Sequence, residues 1–178
     1  TAIWQNVDLR IFTPYLKEHF WWMGDGKSPL NNWTSWCTQN VLLAAAFLNP
    51  DAPADSGARM TAIFQKACQS LDYFLDGYGN DGCCDEGAQY YHHAGLTLFN
   101  AMEVLNGLTG GFFSPLFEQE KIRNIALYIQ RVHIHDQYYV NFADCAPIAG
   151  RCNAREFLFG KRTGQPSLMT FAAKDYRR

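Results

Sequence analysis

Between residues 57 and 77 the apolar side chains fall on one stripe: Met60, Phe64, Cys68, Leu71 and Leu75, flanked by Ile63, Ala67 and Phe74. Steps of three and four are the period of an amphipathic helix. They commit this stretch to a layer with one face on a core and the other in water. A helix is predicted from about residue 57 to 76, ended by Gly77. Ser114 and Pro115 announce a second helix, as cap and first-turn proline, and its stripe runs through Ile122, Ile125 and Ile129 to Val132. Residues 41–48 and 90–108 are apolar on most faces, the latter along Ala94, Leu98, Ala101 and Leu105, as expected of helices in an inner layer. Breakers separate these segments: Asn49, Pro50 and Pro53, then Gly77, Gly79, Asn80 and Gly82, then Gly110 and Gly111. The expectation is an all-α chain of about six or seven helices, without short strands. One-sided helices alternating with many-sided ones suit a double-layered helical ring, and equally a plain bundle.

A chain of 178 residues can bury one real core, so a single domain is expected. Fifteen basic against 17 acidic residues leave a formal charge of -2, so no broad basic field points to nucleic acid. An anionic partner would have to be held locally. The longest nearly apolar run, 41–48, is far short of the roughly 20 residues that span a bilayer, so no membrane helix is expected. Residues 1–10 lack a charged start followed by an apolar stretch, and no signal peptide is visible. The six cysteines contain no C-x-x-C pair and are expected to be buried thiols, with Cys145 to Cys152 the one pairing worth testing.

The densest polar and aromatic cluster is DGCCDEGAQYYHHAG, residues 81–95. Asp81, Asp85 and Glu86 would sit at a helix start, where the dipole favours carboxylates. That does not account for Tyr90, Tyr91, His92 and His93 on the next turn. On a continuous helix Glu86, Tyr90 and His93 would share a face, with Tyr91 and His92 rotated about 100° and 200° away from Tyr90. A second patch, NNWTSWC, precedes the apolar run at 41–48. Asn31 and Asn32 suit a cap or turn, and Trp33 and Trp36 suit a core. The same set also suits a sugar site, where amides bond hydroxyls or a carboxylate and flat rings stack on pyranose faces. His133, His135 and Asp136 form an H-x-H-D string, expected to be a polar helix end rather than a metal site. Arg151, Arg155, Lys161 and Arg162 concentrate positive charge ahead of the C-terminal end.

Four strings, NNWTSWCTQNVLLAAAF, NDGCCDEGAQYYHHAGLTLFNAMEVLNGLTGG, YYVNFADCAPIAG and FLFGKRTGQPSLM, resemble in order the blocks of heparinase II/III-type polysaccharide lyases. The most specific piece is DG-x-x-DEG-x-x-Y followed by AG and a Leu-Phe pair. The resemblance implies an (α/α) toroid followed by β-sandwich domains, of which residues 1–178 would be a partial toroid. It implies β-elimination on uronic-acid-containing acidic glycans and a secreted or periplasmic location; no cofactor and no catalytic metal are expected. In that chemistry the C5 proton is removed and the C4 oxygen expelled once donors neutralise the carboxylate. The resemblance gives that neutralising role to Asn32, and the proton-handling role to Tyr90, or to Tyr91 on an alignment shifted by one. Glu86 would orient its neighbours or bond a sugar hydroxyl. His92 and His93 are further catalytic candidates, and Asn31, Trp33, Trp36 and Arg155 would bind substrate. Many members carry His after the Asn where this chain has Trp33. Two other readings stay open: a toroid-type glycoside hydrolase, which needs two carboxylates flanking one bond, and a non-catalytic carbohydrate-binding or scaffold fragment. A partial ring would leave apolar surface exposed, so self-association of the chain is expected.

Overall fold

The computed structural model describes residues 2–48 and 56–176, so the breakers Asn49, Pro50 and Pro53 lie outside the described residues. A helical segment made of α1 (Ala2–Val7), a π-helical stretch (Asp8–Phe12) and α2 (Thr13–Lys17) opens the chain. There follow α3 (Asn32–Leu48), α4 (Gly57–Gly77), the single turn α5 (Ala88–Tyr91), α6 (Gly95–Leu108), α7 (Glu120–Arg131), α8 (Ala154–Arg162) and α9 (Pro166–Tyr176). The chain is mostly helical, as expected. The stripe at 57–77 forms α4, which buries Met60, Ile63, Ala67, Leu71 and Phe74.

Three predictions need correction. Pro115 does not open α7: Ser114–Glu118 is a separate 3-10 turn, and the helix restarts at Glu120 after Gln119 turns extended. The 90–108 segment is not one helix, because the chain breaks between α5 and α6. Tyr91 folds its ring over Gly95, where a Cβ would lie 2.5 Å from that ring. Strand is also present: β1 (His133–His135) pairs antiparallel with β2 (Tyr138–Tyr139) through a tight turn in which Asp136 takes a positive φ of 52°. The H-x-H-D string is therefore extended rather than a helix end. His133 packs against Tyr139 and Phe171 with Nε2 3.0 Å from the Asp136 carbonyl. Among the described residues no group of three or more His, Cys, Asp or Glu is placed to hold a metal ion.

The longer helices pair as three antiparallel hairpins, α3 with α4, α6 with α7, and α8 with α9. Leu30, just before α3, packs with Phe74 near the end of α4 in one core. Gly160 of α8 meets Leu168 and Met169 of α9, while Cys152 before α8 reaches Asp175 at the end of α9. The first helix of each hairpin runs parallel to the others. Ser35 Oγ and Gln39 of α3 meet the Ala94 carbonyl and Asn100 along α6. Phe99 and Glu103 of α6 meet Phe159 and Arg162 along α8. The main core lies between these rows and is built from Leu42, Leu96, Leu98, Phe99, Ile122, Ile125 and Phe159. A smaller one joins Trp4, Phe12 and Tyr15 to Met60 and Ile63. Lys66 of α4 joins the two segments by donating to the Tyr15 and Glu18 carbonyls at the C-terminal end of α2.

Candidate functional site

The parallel run of α3, α6 and α8 puts their N-termini at one end of the array. Unsatisfied N–H groups and aligned peptide dipoles make such ends favourable for negative charge. At α3, Asn31 caps the helix by accepting from the Trp33 amide at 3.0 Å. Asn32, only 3% exposed, is the first residue of the helix rather than part of a loop before it. Its backbone N–H and its side-chain Nδ2 both donate to Glu86, at 2.8–2.9 Å. Two carboxylate oxygens around one nitrogen form a bifurcated contact that a single N–H can make, which leaves the second N–H of Asn32 uncommitted.

Glu86 reaches Asn32 from a turn, not from a helix. Gly87, at φ 89°, follows it, and a Cβ there would lie 2.3 Å from Cys145 Cβ. The 142–146 loop holds this turn from behind: the Gln89 amide meets Cys145 Sγ, and the Ala146 amide meets the Gln89 side chain. Because helix α5 ends at Tyr91, successive residues face different neighbours. Tyr90 is half-buried, and the edge of its ring meets His93 at 6.5 Å. Tyr91 is fully buried, its ring on Tyr128 and its hydroxyl 3.3 Å from the Ala126 carbonyl, and burial holds its phenol well above the usual range. His92 turns toward α8, with Nδ1 3.1 Å from Glu156 Oε1. His93 turns toward α3 and stacks on Trp36 at 4.4 Å. That partial burial, with His92 and Arg155 nearby, holds the His93 imidazolium below its usual range, against the opposing pull of Glu86.

The structure thus brings together Asn32, Glu86, Trp36, His93 and Tyr90, with Arg155 close enough for its charge to act on His93. His92 is tied in through α8. Tyr91 lies apart, in the core. Trp33 and Trp36 are exposed, 51% and 40%, rather than core, and Trp33 meets Trp21 at 6.1 Å. Trp21, itself exposed, escaped sequence reasoning because nothing in its surroundings signals a neighbour twelve residues on. Glu156 escaped as well, although N-x-x-E at residues 153–156 is a readable capping-box signal. Of the other cations, Arg162 is spent on Glu103 and the Phe117 ring, and Arg151 on the Asp175 carbonyl. All six cysteines are unpaired, Cys145 and Cys152 included, and burial pushes the Cys84 thiol up to about 12.

No protein-family model matches the chain, and no curated protein matches it.

Proposed function

We propose that this chain belongs to a polysaccharide lyase that cleaves uronic-acid-containing glycans by β-elimination, its three hairpins forming part of an (α/α) toroid. The observation that carries the reading is the convergence of Asn32, Glu86, Trp36, His93 and Tyr90 at the shared N-terminal end of α3, α6 and α8. Parallel first helices backed by antiparallel second helices are what a two-layered ring requires. The free amide N–H of Asn32, the Arg155 guanidinium and the helix N-termini would meet the substrate carboxylate, and stabilise the charge that develops as the C5 proton leaves. Glu86 holds Asn32 in place. Tyr90, with His93 kept neutral beside it, supplies the groups that move the proton. Trp36 and Trp33 offer flat faces to the sugar rings.

A hydrolase is less well supported, since it needs two carboxylates facing one bond. Glu86 is committed to Asn32, and Asp85 beside it is exposed in the turn. The proposal is tested by incubating the protein with heparan sulfate, heparin, alginate and other uronic-acid polymers while following the ultraviolet absorbance of the new double bond. Rising absorbance is expected with at least one polymer. Chain shortening without absorbance would mean hydrolysis, and no change with any polymer would leave a binding or scaffold role.

A further inference from the structure

Glu156 is a carboxylate with 0% exposure, and the proton chemistry set out above does not use it. Its Oε2 accepts the Asn153 amide at 2.8 Å in a capping box. Its Oε1 makes no hydrogen bond among the described residues, and Nδ1 of His92 stands 3.1 Å from it in an ion-pair approach. The charge of Glu156 acts on Tyr91, Tyr139 and Cys152, with Asp175 acting on the latter two, and His92 and Arg155 both act on His93. Leaving a carboxylate in such a place without a donor is costly, and His92 Nδ1, 3.1 Å away, is placed to supply the proton. The opposite nitrogen, Nε2, makes no hydrogen bond within the described residues, and the side chain keeps 14% of its surface open. His92 sits between Tyr90 and His93 on the turn that builds the candidate site.

We propose that Glu156 is a positioning residue that fixes His92 in the Nδ1–H tautomer and leaves Nε2 open as a proton acceptor at the site. Its use in turnover rests on the lyase reading; the tautomer does not. Glu156→Gln gives a specific signature. The amide has one acceptor, which the Asn153 N–H claims, so its NH₂ faces His92 Nδ1 and the ring proton must move to Nε2.

Two-bond 1H–15N correlation spectra of the whole chain, taken at a pH where His92 is neutral, read the tautomer directly. Nδ1–H is expected in the wild type and Nε2–H in Glu156→Gln. An Nε2–H tautomer in the wild type overturns the proposal even if the variant fails to fold, and so does an unchanged tautomer in a folded variant. On a polymer that the wild type cleaves, Glu156→Gln is expected to lower kcat about 10²-fold with little change in KM, the scale of a misplaced reacting group. A flipped tautomer with unaltered kcat would refute the role in turnover. Wild-type Nδ1–H together with no cleavage of any polymer would instead sink the lyase reading and leave the Glu156–His92 geometry standing.

Discussion

Asn32 and Glu86, 54 residues apart in the chain, are locked together by two donors from one residue onto one carboxylate, and this lock joins the first turn of α3 to the turn before α5. A buried hydrogen bond to a charged group contributes about 1.5–3 kcal/mol. Asn32→Ala and Glu86→Ala are each expected to lower the unfolding free energy by about that amount. Asn32→Ala removes the Nδ2 bonds and keeps the backbone N–H bond, whereas Glu86→Ala removes both. Because the Nδ2 bonds are lost in either variant, the double variant should lose less than the sum, with a coupling of about 0.5–3 kcal/mol in urea unfolding. Additive losses would show that the two side chains do not act as a pair.

The stack of His93 on Trp36 has a pH consequence. A folded value below the ordinary 6.5 means that the unfolded chain binds the proton more readily. His93 therefore contributes stability that is present above about 6.5 and lost as the pH falls from there through its folded value. NMR titration should place His93 below 6.5, and Trp36→Ala should raise it by returning the ring to water. A midpoint at or above 6.5 in the wild type would contradict the stacked geometry.

Gly87 tests the turn that presents Glu86. Its φ of 89° and ψ of 178° belong almost to glycine alone, and a side chain would also strike Cys145. Gly87→Ala should cost on the order of 2–5 kcal/mol. Gly77→Ala, with open space around it, should change stability by less than about 1 kcal/mol. Equal effects in thermal unfolding would mean that the turn tolerates a side chain.

Helix α4 was legible because its stripe is long, one-sided and free of breakers. The break between α5 and α6 was not: residues 90–108 are apolar on most faces, and Tyr91 lies over Gly95 with Ile125 of α7 packed beside it, a contact that only the fold supplies. That break also undoes the helical-face argument for the site. Glu86 and Tyr90 share no helix face, yet both stand near His93, because the turn rather than a 3.6-residue period orients them. The 133–139 hairpin was missed for a related reason, its polar pattern being too short to show a period of two. Asn32 was legible as a residue type in one polar cluster, and Glu86 and Tyr90 in another, whereas the 54-residue link that pairs the first two exists only in the fold.

Large apolar side chains stand exposed: Phe47 of α3 at 79%, and Ile3 of α1 and Leu9 of the π-helical stretch each at 68%. Such surface seeks partners. Sedimentation velocity should show concentration-dependent self-association of the chain, weakened by Phe47→Ser. A strict monomer at high concentration would count against it.

The central claim, that the hydroxyl of Tyr90 moves a proton in β-elimination, is tested most directly by comparing Tyr90→Phe with Tyr91→Phe in the protein that carries this chain, on a polymer that it cleaves. Tyr90 stands half-buried beside His93, whereas the Tyr91 hydroxyl is spent on the Ala126 carbonyl in the core. Tyr90→Phe should therefore keep the fold and lose about 10²-fold to 10⁴-fold in kcat. Tyr91→Phe should lose about 1 kcal/mol of stability and keep its turnover. Near-normal kcat in Tyr90→Phe, with turnover abolished in a folded Tyr91→Phe, would contradict the account.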